Sequence, residues 1–188
     1  GRYFSPGLAE RLVADERMTG LGGQRKMVSI VFADVSDFTS LVEKHAVEDV
    51  VEVLNRFFET VVPIIFRHGG MLDKFLGDGV MAVFGIPDPD DADPVRAIEC
   101  AVDIQKGMET LKAQLEKDGL FPIDVGAGIA TGVVLAGNIG TKNQMNYTVI
   151  GEPVNLAQRL ETICGPGEIV VSNATVETIP AGTALDVS

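Results

Sequence analysis

Residues 28–33, VSIVFA, form an unbroken apolar and largely β-branched run, the pattern of a strand covered on both faces, and the run stops at Asp34. Ser36 or Asp37 then offers an N-cap for a helix through Thr39, Leu41 and Val42. Val50, Leu54, Phe57, Val61 and Ile64 recur at spacings of four and three, which predicts one apolar face along a long helix. Pro63 can bend that helix and Gly69-Gly70 can end it. Residues 72–84, LDKFLGDGVMAVF, read as a β-hairpin with Asp78 at its tip, because Asp-Gly between two strand-like runs puts positive φ where both residues tolerate it. Residues 80–84 have no polar face, so this strand belongs in the middle of a covered sheet.

Asp93-Pro94 is expected to cap a further helix carrying Ile98, Ala101, Ile104, Met108, Leu111 and Leu115 inward. Residues 123–130 predict a strand, Thr131-Gly132 a turn, and residues 133–139 a returning strand, with Gly126 and Gly128 implying close backbone approach. Residues 140–146 read as a polar, exposed arm and 147–150 as a short strand. A helix over 154–163 follows, closed by Gly165-Pro166; residues 168–172 add a strand, and Asn173 caps a last short helix. At the other end, Ser5-Pro6 starts a short helix striped by Leu8, Leu12 and Val13. The division expected is a linker or signalling helix over 1–24, a catalytic-size domain over 25–180 and a tail over 181–188. The alternation predicts an α+β fold, a ferredoxin-like βαββαβ core with extra strands, its mostly antiparallel sheet covered by helices on one face.

Length and charge narrow the function classes. A chain of 188 residues with 46% hydrophobic content is long enough to bury a full core. A net charge of −12 argues against nucleic acid or an anionic membrane surface as the partner, so a phosphate-bearing ligand calls for metal ions or clustered cations. Cys100 and Cys164 lack metal-site spacing and read as reduced packing residues. No apolar run reaches the ~20 residues of a membrane span, which points to the cytoplasm for this segment. The chain opens at Gly1, as expected of a piece of a longer protein. Asp88, Asp90, Asp91 and Asp93 lack the glycine and terminal glutamate of an EF-hand and read as a solvated loop. GAGIATG and GNIGTK miss the dinucleotide and P-loop spacings.

Asp34 ends the first strand and Asp78 tips the hairpin, and in a ferredoxin-like arrangement those strands are neighbours. Two carboxylates about 4 Å apart repel by roughly 4 kcal/mol at an effective dielectric of 20. Such a pair calls for a cation or a shared proton. Taken singly, Asp78 is a turn residue, Lys74 an exposed strand lysine, Thr148 a strand threonine, and Asn155 with Arg159 a polar helix face.

Three segments in order, VFADVSDFTSL, DKFLGDGVMAVFG and YTVIGEPVNLAQRLE, resemble the conserved segments of the class III nucleotidyl cyclase catalytic domain, the adenylate/guanylate cyclase family, and its bacterial adenylate cyclases in particular. The likeness runs from about residue 28 to 172. It implies that Asp34 and Asp78, with the carbonyl of Val35, hold two divalent cations, Mg²⁺ or Mn²⁺. Lys74 and Thr148 correspond to the purine readers, Asn155 to the ribose-orienting asparagine and Arg159 to the arginine that stabilises the transition state. Phe38 and Thr39 fall among the substrate-binding positions, where backbone N–H groups meet phosphate, and Lys142 in the arm is a candidate for the terminal phosphates. The resemblance further implies a head-to-tail homodimer with two shared sites, ATP as substrate, and an upstream regulatory or sensor domain. Lys74 only donates, and adenine N1 accepts where guanine N1 donates, so Lys74 favours ATP. Thr148 can accept from an adenine amino group or donate to a guanine oxygen. The expected reaction is ATP to 3′,5′-cyclic AMP and pyrophosphate, the alternatives being a guanylate cyclase or a non-catalytic nucleotide-sensing dimerisation module.

Overall fold

The apolar run at 28–33 is the middle of a longer strand, β1 (Gly22–Val35), in a computed structural model that describes residues 22–141, 144–179 and 183. The helix expected near the N-terminus, Lys142 and all but one residue of the tail lie outside those residues. The elements that follow β1 are α1 (Phe38–Lys44), α2 (Val47–Arg67), β2 (Met71–Phe75), β3 (Gly79–Phe84), α3 (Asp93–Lys117), β4 (Val125–Thr141), β5 (Gln144–Ile150), α4 (Glu152–Thr162), β6 (Ile169–Val171) and α5 (Asn173–Thr178).

The strands form one sheet in the order β2-β3-β1-β4-β5, antiparallel throughout, with β6 parallel to β4. The first four strands, crossed over by α2 and α3, are the expected ferredoxin-like core. On one face Val31, Ala33 and Val35 of β1 pack with Phe57 and Val61 of α2 and Ile104 of α3. Phe57 and Val61 are fully buried, which for side chains of this kind contributes about 1.5–3 kcal/mol each. The expectation of helices on one face holds for α2 and α3. α4 lies against the other face, where Ile30, Phe32, Met81 and Ala130 meet Ala157, Leu156 and Leu160.

The glycines of β4 account for that second layer and for a misread turn. Residues 125–141 run as one strand paired with β1 from end to end, with no reversal at Thr131-Gly132. A Cβ at Gly128 would sit 2.2 Å from Glu161 N and 2.3 Å from Ala157 O, and one at Gly132 would sit 2.6 Å from the Pro153 ring. These glycines let a helix backbone rest on the strand, which is the close approach anticipated, achieved without a break in the strand.

Three smaller expectations change. The polar arm is itself a hairpin, β4 continuing to Thr141 and β5 beginning at Gln144. Ser172, not Asn173, caps α5, its Oγ accepting from the Thr175 N–H. Asp93 is buried as the first residue of α3, accepting from the Asp90 N–H and paired with Arg96, so it is not part of a solvated loop. Among the described residues no helix is long and apolar enough to cross a membrane, and both cysteines are free.

Candidate active site

Asp34 lies one residue from the end of β1, flanked in register by Gly79 of β3 and Gly126 of β4. Its neighbours have to be glycines on the hairpin side: a Cβ on Gly79 would stand 2.7 Å from the Ala33 carbonyl and 2.9 Å from Asp34 Cγ. Gly77 takes the positive φ, 81°, while Asp78 does not, so the strained position falls one residue earlier than the Asp-Gly turn predicts. The Asp78 N–H donates to Leu76 O at 3.2 Å and the Leu76 N–H to Gly79 O at 2.8 Å, closing the turn. Val35 N–H then donates to Asp78 O at 3.1 Å and holds the hairpin tip against β1. The two carboxylates do converge.

They face a cleft of about 480 Å³ lined also by Val35, Phe38, Thr39 and Glu161. Burial first, then the charges of Asp78 and Glu161, push the Asp34 carboxyl up to about 7. Glu161 is raised in turn by burial and by Asp78. Asp34 Oδ1 is buried with no hydrogen-bond partner. Crowded carboxylates with an orphaned buried oxygen are the condition that a hard cation relieves, and an all-oxygen donor set suits Mg²⁺ or Mn²⁺.

A second group of polar side chains sits where β2 and β5 meet. Thr148 of β5 donates to Asp73 Oδ2 at 2.9 Å, and Lys74 Nζ stands 2.9 Å from the same oxygen and 3.2 Å from Thr148 Oγ1. β2 and β5 are the two ends of the strand path, so the sheet curls until its ends meet. Consecutive strand residues point to opposite faces, yet Asp73 and Lys74 both reach Thr148. A bulge between Leu72 and Lys74, leaving Asp73 without a partner across the ladder, permits it. Asn155 and Arg159 are exposed one turn apart on α4, and Asn155 borders a separate cleft with Val149, Ile150 and Gly151.

Residues 23–185 match the family model described as the adenylate and guanylate cyclase catalytic domain. The chain belongs to that family. This cyclase domain is 35% identical over 164 residues to the terminal-differentiation specific adenylate cyclase of Dictyostelium discoideum, covering 86% of this chain and 7% of that protein. A Mycobacterium tuberculosis protein is 36% identical over 168 residues, of which the domain spans 29%. Among solved structures it is similar to the guanylyl cyclase Cya2, at 38% identity and a TM-score of 0.82 over 85% of this chain and 81% of that one. It is also similar to the adenylyl cyclase CyaB from P. aeruginosa, at 37% identity and a TM-score of 0.80 over 85% and 83%. Relatives of both base preferences are therefore equally near.

The cyclase domain brings Asp34, Val35, Asp78, Phe38 and Thr39 to one cleft, and Lys74 and Thr148 to one another. Two residues went unnoticed in the sequence. Asp73 carried a signal, since strict alternation would set it opposite exposed Lys74, on a buried face where a charge needs partners. Glu161 carried none, because its approach to Asp34 depends on α4 lying directly on Gly128.

Proposed function

We propose that this domain converts ATP to 3′,5′-cyclic AMP and pyrophosphate, by attack of the ribose 3′-OH on the α-phosphorus. The observation that carries the reading is the Asp34–Asp78 pair with its unpartnered buried oxygen, in a family of nucleotide cyclases. Asp34, Asp78 and the Val35 carbonyl are the groups to hold two divalent cations, Mg²⁺ or Mn²⁺, which when bound lower the pKa of the 3′-OH and neutralise phosphate charge. Phe38 and Thr39 present backbone N–H groups to phosphate beside them. Lys142 is assigned to the terminal phosphates. Arg159 offers a guanidinium to the charge that develops on the phosphorane-like state and on departing pyrophosphate, and Asn155 orients the ribose. Lys74 and Thr148 read the base.

The two groups of residues do not share a cleft within one chain: the one lined by Asp34 and Asp78 is not lined by Lys74, Thr148, Asn155 or Arg159. A second copy, head to tail, brings the missing half to each, so a homodimer holds two equivalent sites. Exposed Met27, Val133, Leu135 and Ile150 support this, since Met27 pairs with Val133 and Leu135 with Ile150 to make a bare apolar strip for a partner to cover. The test is incubation of the domain with Mn-ATP and, in parallel, Mn-GTP. Cyclic AMP in excess over cyclic GTP is expected. No cyclic nucleotide at any protein concentration overturns the cyclase reading; a preference for GTP overturns the base assignment alone.

A further inference from the structure

We propose that Asp73 is a positioning residue for base selection, which fixes the Thr148 hydroxyl as an acceptor and so turns an ambiguous reader into an adenine reader. This rests on the assignment of Lys74 and Thr148 to the base. A threonine hydroxyl has one hydrogen and two lone pairs, and an ionised carboxylate only accepts. The 2.9 Å contact between Thr148 Oγ1 and Asp73 Oδ2 therefore commits that hydrogen to Asp73. Lys74 has only donors, and Asp73 Oδ2 and Thr148 Oγ1 hold its ammonium at 2.9 and 3.2 Å. What remains for a ligand is a donor from Lys74 and a lone pair on Thr148.

That order matches one purine. Adenine shows an acceptor at N1 and a donor on its 6-amino group; guanine shows a donor at N1 and an acceptor at O6. Guanine in the same pose would set N1–H against the ammonium and O6 against the Thr148 lone pair. Were the hydroxyl free to turn, it could donate to O6 and half of that mismatch would vanish.

Two features set Asp73 apart from an ordinary surface ion pair. Its side chain is 0% exposed, while Lys74 beside it is 45% exposed. Its other oxygen, Oδ1, is buried without a partner, a standing cost that a residue kept only for packing would not carry. The bulge at this point in β2 is what brings a buried acid and an exposed lysine to the same threonine.

The experiment compares the ATP-to-GTP ratio of kcat/KM in the parent, Asp73→Leu, Asp73→Ala and Asp73→Asn. The ratio of dissociation constants of the two triphosphates with Ca²⁺, by calorimetry, is measured alongside. The ratio is expected to fall about tenfold or more in Asp73→Leu and Asp73→Ala, because a site built around a hydrogen bond discriminates through it. Asp73→Asn should keep it, since the ammonium of Lys74 draws the amide oxygen, still an acceptor, toward Thr148. In a Thr148→Val background, Asp73→Ala should change the ratio by less than it does in the parent, because only its hold on Lys74 is then left to lose. Equal losses with both nucleotides at an unchanged ratio overturn the proposal, as does an undiminished change in the Thr148→Val background or a parent that prefers GTP. Absence of turnover in the parent counts against the cyclase reading instead, and the binding ratios still decide the role of Asp73.

Discussion

Asp34 is a carboxyl that the metal-free fold would rather protonate. Its group sits at about 7 in the folded domain against 3.8 in the open chain, chiefly through burial and Asp78. Between those values the native state binds more protons than the unfolded one, so stability falls as pH rises through the window and the full penalty stands above it. In the presence of a chelator, Asp34→Asn is therefore expected to melt higher than the parent at pH 8, with the advantage shrinking toward pH 4. An advantage equal at both pH values would refute the account. Added Mn²⁺ should raise the melting temperature of the parent and leave that of Asp34→Asn nearly unmoved, because only the parent keeps the full ligand set proposed for the cation. That Asp34 and Asp78 were both acids at strand ends was legible from the sequence; how deeply Asp34 is buried was not.

The element on which the site turns is α4. It carries exposed Asn155 and Arg159 as well as Glu161 of the acidic cleft, and besides the packing of Leu156 and Leu160 its backbone rests directly on a glycine of β4. Gly128→Ala puts a methyl group within 2.3 Å of two backbone atoms of α4, which cannot swing aside as a side chain would. Overpacking of this kind costs about 1–3 kcal/mol. A lower urea midpoint with unchanged slope is expected, together with lost turnover, since Arg159 moves with the helix; an unchanged midpoint would show that α4 is not held by this contact. The same residues give a single strand the sequence pattern of two. Small residues in an apolar run signal close approach, but composition does not say whether the chain bends there or another element comes near.

At the scale of the whole molecule, the proposed chemistry is divided between two groups of residues that do not share a cleft within one chain. Asp34→Ala and Arg159→Ala chains, each inactive alone, are expected to regain about a quarter of parental activity when mixed in equal amounts, because half the pairs are then mixed and each has one intact site. Recovery absent under conditions where mixed pairs form would mean that each chain carries its site unaided.

Periodicity and turn residues by themselves determined that this chain makes a ferredoxin-like α+β core, since apolar spacing dictates which face of each element must be buried. Strand-end positions singled out Asp34 and Asp78, and the resemblance of three segments to the cyclase family added Lys74, Thr148, Asn155 and Arg159 as candidates. Tertiary structure alone decided that α4 crosses the far face, that β4 runs unbroken, and that Asp73 joins Lys74 and Thr148. Each of those is an encounter between segments far apart in the chain, set by the curl of the sheet and by how closely two backbones approach, and no local pattern encodes either.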